Sequence, residues 1–276
     1  ESSGIKSYPT ANYVNYYGMQ NGYPINDMTK ADAESGYDPT HPWKNRDPRF
    51  YKTIMFDGVK WRNTGGAGGT AELFTGGRES EEANEKKGCF TAYMNSKLCP
   101  QLMNTFDGYK ENNIMILSLM RLADVYLMYA EATAVGYNSP KGKAATYSLT
   151  AEEALNKIRE RAGVAPVLEK FLGSTADFLS ELRRERAVEL SFEGFRFTDL
   201  RRWMLLTQYP YTLKTKIEFD RADPNNYNYD APEENAIKNL REVVLIERKY
   251  TDRHYWYPLP KKDVSMYEGF YQNPGW

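Results

Sequence analysis

Two neighbouring segments with a helical spacing of apolar residues constrain the fold of this chain more than any other feature. Between positions 114 and 135, apolar side chains recur every three or four residues, and Gly136 then offers a stop. The second segment begins at Thr150, and Glu153 three residues later completes the pattern of a capping box. It ends at Gly163, and its apolar face is formed by Ala154, Leu155, Ile158 and Ala162. Together the two segments predict a helical hairpin.

The rest of the chain predicts a mainly α fold with long irregular loops. A third helix is expected over residues 175–193, and residues 236–249 are compatible with one more. Turn-forming and polar residues dominate 1–60 and 207–235, so we expect turns and extended pieces there. A long surface loop is expected over 62–88, where a run of glycines precedes an acidic stretch, and an extended tail is expected to follow Tyr255.

The composition excludes several functional classes. The 276 residues carry 36 basic and 37 acidic side chains, so the formal net charge is −1. A general nucleic-acid binder or a polybasic membrane-surface protein would instead carry a basic excess. The sequence contains no run of about 18 apolar residues, the length that a membrane-spanning helix needs. The 22 Tyr and 5 Trp suit contact with sugar rings or peptides, but they are equally compatible with an ordinary aromatic surface.

Several short motifs follow one another in a specific order along nearly the whole chain. An aromatic segment at 12–27, with Gly22-Tyr23-Pro24-Ile25 near its end, is followed by Asp47-Pro48-Arg49-Phe50-Tyr51. Helical segments at 121–132 and 154–163 precede the most specific motif, at 184–203, and the series closes with Tyr257-Pro258-Leu259-Pro260 and Gln272-Asn273-Pro274-Gly275-Trp276. Each motif alone is weak, but in this order they resemble the C-terminal half of the SusD/RagB family of outer-membrane nutrient-binding lipoproteins.

The resemblance implies a mainly α, SusD-like fold with a tetratricopeptide-like helix pair and long irregular loops. It implies a single domain over 1–276, with a loop-rich candidate ligand region at 1–113, a helical scaffold at 114–206, and a loop, helix and extended tail at 207–276. The N-terminal half of the family, which carries the lipid anchor, has no counterpart in this sequence, so we expect it to be missing from the chain.

The function that the resemblance implies is capture rather than catalysis. Members of the family lie on the extracellular face of the outer membrane of Bacteroidetes and deliver oligosaccharides or peptides to a SusC-like TonB-dependent transporter. We therefore expect non-catalytic binding of a nutrient oligomer, with a glycan as the favoured ligand and a peptide as the alternative. Neither a cofactor nor a nucleic-acid partner is implied.

Aromatic residues in the polar first third of the chain are the best candidates for ligand contact. Trp43 lies among proline and polar residues, where its ring either stacks on a ligand or packs back on the body of the protein. Asn45 and Arg46 beside it could hydrogen-bond hydroxyl or carbonyl groups of the same ligand. Similar loops hold three further candidates, Tyr23, Tyr37 and Trp61.

Two glutamates on the third helix raise an enzymatic alternative. Glu189 and Glu193 lie four residues apart, so they could act as the acid and base of a glycoside hydrolase. Like charges at this spacing repel unless cations lie between them. The nearby cations in the sequence are Arg186, Arg196 and Arg202, so we interpret the pair as part of a structural Arg–Glu network. A helical module that docks another protein is a third alternative.

The sequence offers no metal site. His41 and His254 are the only histidines, and neither has a second ligand at metal-binding spacing. Cys89 and Cys99 also lack that spacing, and a disulfide and two free thiols are equally compatible with the sequence. The glycine run at 65–69 lacks the Gly-Lys-Ser/Thr ending of a phosphate-binding loop. We therefore expect no metal.

Overall fold

The predicted helical hairpin is present. The structure, a computed structural model, describes residues 8–62, 69–80, 88–99 and 118–276. Helix α3 (Leu122–Gly136) packs against helix α4 (Ala151–Ala162). Thr150 and Glu153 form the predicted capping box, and Gly163 ends α4 in the left-handed conformation, at φ 73°. Residues 114–117 lie outside the described part, and 118–121 are not helical, so α3 begins later than predicted.

A third helix, α5 (Thr175–Glu189), packs against the hairpin and ends four residues before the predicted boundary. Its first turn is held by Ser174, whose hydroxyl accepts a hydrogen bond from the backbone N–H of Asp177. Helix α6 (Phe195–Arg202) follows directly after Gly194. The apolar core between α3, α4 and α5 is formed by Leu127, Ala130, Leu155, Ile158, Phe178 and Leu182. The tetratricopeptide-like character of the helix pair stays a prediction, as do the boundaries at 113 and 206.

The first hundred residues build a second core, which is strongly aromatic. Short helices α1 (Ala11–Val14) and α2 (Pro48–Thr53) are followed by strands β1 (Ile54–Met55) and β2 (Met94–Asn95), which pair antiparallel. Val188 of α5 reaches into this core and joins it to the helical part. Of the predicted 62–88 surface loop, residues 63–68 and 81–87 lie outside the described part, and there it stays a prediction. In the described part between them the prediction is wrong, because Ala71 and Leu73 are buried in the aromatic core.

A long antiparallel hairpin lies in the last third of the chain, where the sequence predicted a loop and a helix. Strand β3 (Leu213–Arg221) lies within the predicted loop at 207–235, and strand β4 (Ile237–Glu247) replaces the helix predicted at 236–249. Every second residue of β3 is buried, namely Thr215, Ile217, Phe219 and Arg221. Because β3 presents this buried face to the aromatic core, pairing with its open edge stabilises β4 as a strand. A short helix, α7 (Lys261–Val264), lies in the otherwise irregular tail.

The end of β3 is fastened to the aromatic core by a buried ion pair. The guanidinium of Arg221 donates to both carboxylate oxygens of Asp57, at 2.7 and 3.1 Å. Asp57 also accepts from the backbone N–H of Leu73 at 2.8 Å, and the ring of Tyr227 lies 3.8 Å from the guanidinium carbon. Because both charges are hydrogen-bonded in this way, the pair can be buried without leaving a polar group unsatisfied.

Candidate functional site

Trp43, the leading candidate for ligand contact, is a core residue. Its side chain is 0% exposed, stacks on Phe56 with ring centres 5.0 Å apart, and meets the ring of Phe219 edge-on at 5.3 Å. The indole N–H donates to the hydroxyl of Tyr93 at 3.4 Å. No face of the ring is open to a ligand, so the packing interpretation of Trp43 is correct and the platform interpretation is not.

Tyr37 and Arg46 are also buried and have structural partners. The hydroxyl of Tyr37 donates to the carbonyl oxygen of Met28 at 2.8 Å. The guanidinium of Arg46 donates to the carbonyl oxygens of Val14, Tyr17 and Pro42 at 2.6–3.1 Å. These bonds tie α1 to the segment before α2, so Arg46 does not offer its donors to a ligand, contrary to the sequence-based expectation.

The other three predicted residues lie nearer the surface. The ring of Tyr23 is half-buried beneath the ammonium of Lys170, 4.4 Å from its centre. Trp61 is half-buried against Arg62, whose guanidinium carbon lies 4.0 Å from the ring. Asn45 is exposed and lines a shallow cavity of about 410 Å³ beside Asn21 and Ser35. The structure therefore does not bring the six predicted residues together in one site.

A larger cleft of about 600 Å³ lies between α1, α5, the start of α6 and the β3–β4 hairpin. None of the six predicted residues is among those that line it. Its aromatic wall is formed by Tyr16, Phe171, Tyr209 and Tyr211, and its polar groups include Asn12, Asn15, Arg183, Arg196 and Glu242. Tyr209 is 77% exposed, so its ring is available to a ligand. Aromatic faces together with a few polar groups are typical of small-molecule sites.

The walls of this cleft are fastened to one another by hydrogen bonds. The backbone N–H of Asn12 donates to the hydroxyl of Thr215, and its side-chain amide donates to the carbonyl of Leu213, both at 2.8 Å. Tyr13 donates its hydroxyl to the carbonyl of Ala187 at 2.6 Å. Helix α1 is thereby held to both β3 and α5, so the cleft is formed before any ligand arrives.

Some of the charges around the cleft are already paired. Arg184 donates to the carboxylate of Glu181 and to the carbonyl oxygens of Tyr16 and Gly22, the last two at 3.1 and 2.9 Å. Burial alone would raise the pKa of Glu181, but Arg184 and then Arg159 outweigh it, and the pKa is lowered. The carboxylate of Glu242 accepts from the hydroxyl of Thr215 at 2.6 Å. These groups hold the walls together.

Other polar groups of the cleft lack partners. Among the described side chains, Asn15 Oδ1, Arg183 Nε and Arg196 Nη1 are buried atoms without a hydrogen-bond partner in the protein. The guanidinium of Arg196 lies over the ring of Tyr16, 4.8 Å from its centre, and that of Arg183 lies 5.4 Å from the ring of Trp203. Three side chains with unsatisfied atoms thus line one cleft, which makes it the candidate place for a polar ligand.

Glu189 and Glu193, considered above as a catalytic pair, have every carboxylate oxygen in contact with a cationic side chain. Glu189, only 3% exposed in its side chain, contacts Arg121, Arg49 and Arg161 at 2.8, 3.0 and 2.7 Å. Glu193 contacts Arg121 and Lys97 at 2.7 and 2.6 Å. No carboxylate oxygen of the pair is left to exchange a proton with a substrate, so their contacts are those of a structural network.

The cations of this network differ from those predicted. Arg186 pairs with Asp124 and with Asp199, the latter at 2.7 Å, rather than with Glu189. Arg202 pairs with Glu131 at 2.6 Å, and Arg196 lies in the cleft. The partners of Glu189 come instead from segments more distant in the sequence, which local spacing could not identify.

Two smaller questions that the sequence left open concern thiols and metals. Cys89 is buried and Cys99 is exposed, and both are free thiols. Across the described ranges, no three His, Cys, Asp or Glu side chains converge as metal ligands would. None of the helices in those ranges is both long enough and apolar enough to cross a membrane.

Comparison with known proteins identifies the family. The model of the SusD family matches residues 1–276. A SusD-like protein from Bacteroides fragilis has a TM-score of 0.69 at 22% identity, with 98% of this chain and 47% of the other covered. A SusD-like carbohydrate-binding protein from the same species has a TM-score of 0.61 at 20% identity, with 93% and 46% covered.

These comparisons settle membership and fold. The chain spans about half the length of the solved proteins that it matches, and no curated protein matches it. At these identities the structural likeness shows a common fold, which combines helices with small sheets. Because the family model covers every residue of the chain, the protein belongs to the SusD family.

Proposed function

We propose that this protein binds a nutrient oligomer, a glycan, in the cleft between α1, α5, α6 and the β3–β4 hairpin, without catalysis. The observation that carries the proposal is the cleft itself, with about 600 Å³ of volume, four aromatic rings and three unsatisfied polar atoms. Membership of the SusD family and a structural neighbour described as carbohydrate-binding support the choice of a glycan.

The chemistry of the cleft suits a sugar. A pyranose ring has apolar C–H faces that pack on an aromatic ring, and hydroxyl groups at its rim that need donors and acceptors. Tyr209 supplies an exposed ring, and Asn15 supplies an acceptor without a donor. In the described structure, the catalytic pair considered above has every carboxylate oxygen engaged, which favours capture over hydrolysis.

The wider setting of this function is part of the proposal. By resemblance to its family, the protein would act on the extracellular face of the outer membrane and pass its ligand to a SusC-like TonB-dependent transporter. Co-purification of the protein with such a transporter tests that part separately from ligand binding.

The ligand-binding part is tested with two tyrosine variants. A glycan and peptide array first identifies a ligand of the wild-type protein, and calorimetry then measures its affinity for Tyr209→Ala and Tyr271→Ala. Tyr271 is the matched control because it is 82% exposed but lies in the tail and does not line the cleft. We expect Tyr209→Ala to weaken binding about tenfold or more, since the loss of an aromatic anchor costs about 1.4 kcal/mol or more, which is tenfold in affinity.

Three results would count against the proposal. Equal affinity of Tyr209→Ala and the wild-type protein would remove the cleft as the binding site. Binding of peptides but not of glycans would change the ligand class. Release of reducing sugar from the bound glycan by the purified protein would overturn the non-catalytic role.

A further inference from the structure

Two arginines in the cleft differ from three neighbouring arginines that are paired with carboxylates. Arg184, Arg186 and Arg202 each contact a carboxylate of the protein. Arg183 and Arg196 line the cleft, yet neither forms an ion pair with any carboxylate in the described ranges. Their guanidinium groups lie instead over aromatic rings, that of Trp203 for Arg183 and those of Tyr16 and Tyr211 for Arg196.

The unpaired state of these two side chains is unfavourable. Arg183 Nε and Arg196 Nη1 are both buried and without an acceptor. A buried donor without an acceptor destabilises the protein, and the effect is larger when the group is charged. Both side chains are only half-buried as a whole, so they remain accessible from the cleft. An acceptor supplied by a ligand would recover that energy.

The local balance of charge also favours a ligand that carries negative charge. Lys214 of β3 has its pKa lowered to about 8, first by burial and then by the positive charges of Arg248 and Arg196. Two acidic side chains line the cleft. Glu181 is already paired with Arg159 and Arg184, so only Glu242 remains to balance the other positive charges of the cleft. The region around Arg196 therefore carries an excess of positive charge.

On the basis of the proposed function, we propose that the cleft selects an acidic saccharide, whose carboxylate or sulfate group is bound by Arg183 and Arg196. A guanidinium presents a planar set of N–H donors that matches the oxygens of a carboxylate or sulfate. Asn15 Oδ1 would accept a hydrogen bond from a hydroxyl of the same ligand, and Tyr209 would pack on its ring. The ligand would thereby supply acceptors to two guanidinium groups that have no carboxylate of the protein as partner in the described ranges.

Calorimetry with three oligosaccharides of equal length tests this inference. The wild-type protein is titrated at low salt with a neutral glucan, a uronic-acid oligomer and a sulfated oligomer. We expect at least one acidic oligomer to bind about tenfold or more tightly than the neutral one, because a charge-assisted hydrogen bond contributes about 1.5–3 kcal/mol. Raising the salt concentration should reduce that preference.

Variants then locate the preference. Arg183→Gln and Arg196→Gln should each reduce the ratio of acidic to neutral affinity about tenfold, and Arg196→Lys should restore part of it. Arg253→Gln is the matched control, because Arg253 lies on the ring of Trp276 in the tail and does not line the cleft. Melting temperatures show that each variant is folded.

The outcomes separate this inference from the proposed function. If the wild-type protein binds neutral and acidic oligomers equally, the inference is overturned while glycan capture stands. If an acidic oligomer is preferred but the two arginine variants keep the wild-type ratio, the preference arises elsewhere and the assignment is wrong. If no oligosaccharide binds, the proposed function itself fails. A preference for the uronic-acid or the sulfated oligomer shows which acidic group the cleft accepts.

Discussion

Replacing Trp43 with alanine should destabilise the whole protein rather than remove a contact with a ligand. The ring is fully buried between Phe56 and Phe219, at 5.0 and 5.3 Å, and its N–H donates to the hydroxyl of Tyr93. Alanine would leave a cavity in the centre of the aromatic core. The loss therefore has two parts, the cavity and the unpaired hydroxyl.

The size of the effect follows from these two parts. A buried Phe or Trp replaced by alanine costs about 3–5 kcal/mol, and the loss of one long hydrogen bond adds about 0.5–1 kcal/mol. A total of about 4 kcal/mol corresponds to a fall of roughly 8 °C or more in melting temperature for a chain of this size. Trp43→Phe keeps an aromatic ring in the stack and should cost only about 1–2 kcal/mol.

Thermal unfolding followed by circular dichroism measures these losses. Trp256→Ala is the control, because that tryptophan is 57% exposed and its removal should change stability by less than about 1 kcal/mol. A Trp43→Ala protein that melts as the control does would refute the packing argument. Loss of ligand affinity at an unchanged melting temperature would reinstate Trp43 as a ligand platform.

Three further perturbations test the scaffold. Burial alone would raise the pKa of Glu185 above its ordinary 4.5, but Arg49 and Arg159 outweigh burial and hold this pKa at about 2. The stability that the ionised Glu185 contributes should therefore be complete above about pH 4.5 and fall by roughly 3 kcal/mol towards pH 2. Denaturation of Glu185→Gln, measured as a function of pH, should show a shallower fall. Thr150→Ala removes the cap of α4 and should cost about 1 kcal/mol in urea unfolding. Gly163→Ala places a side chain at φ 73° and should cost about 1–2 kcal/mol in the same assay, whereas a neutral result would contradict the left-handed ending of α4.

The helical part of the fold could be predicted because its signals are local. The capping box at Thr150 and Glu153, the apolar face of α4 and the stop at Gly163 all lie within 14 consecutive residues. Each of these signals depends on backbone geometry that a helix imposes whatever surrounds it. The order of the short motifs along the chain then indicated the family, which the comparisons confirm.

The β3–β4 hairpin could not be predicted because its strands depend on each other. The segment that forms β4 contains good helix formers, and nothing within it indicates the partner that it pairs with. Buried and partly exposed residues do alternate along β3, and Ile217 and Phe219 lie in the core. The polar and charged residues around them favoured the prediction of a loop. The two segments become strands because they pair with each other across 15 intervening residues (222–236).

The cleft proposed as the binding site could not be predicted for a related reason. Trp43 stands among polar neighbours in sequence, but its burial is decided by Phe56, Tyr93 and Phe219, which only the fold brings to it. The arginines between 183 and 202 look alike as sequence, since each lies within reach of an acidic residue along the chain. Among the described residues, the fold leaves Arg183 and Arg196 without a carboxylate, and it also leaves Arg201 without one, although the guanidinium of Arg201 donates to the carbonyl oxygen of Tyr255 instead. The feature that marks the proposed cleft is thus the absence of a carboxylate partner for Arg183 and Arg196 within the described ranges, a property of the three-dimensional arrangement that residue spacing does not contain.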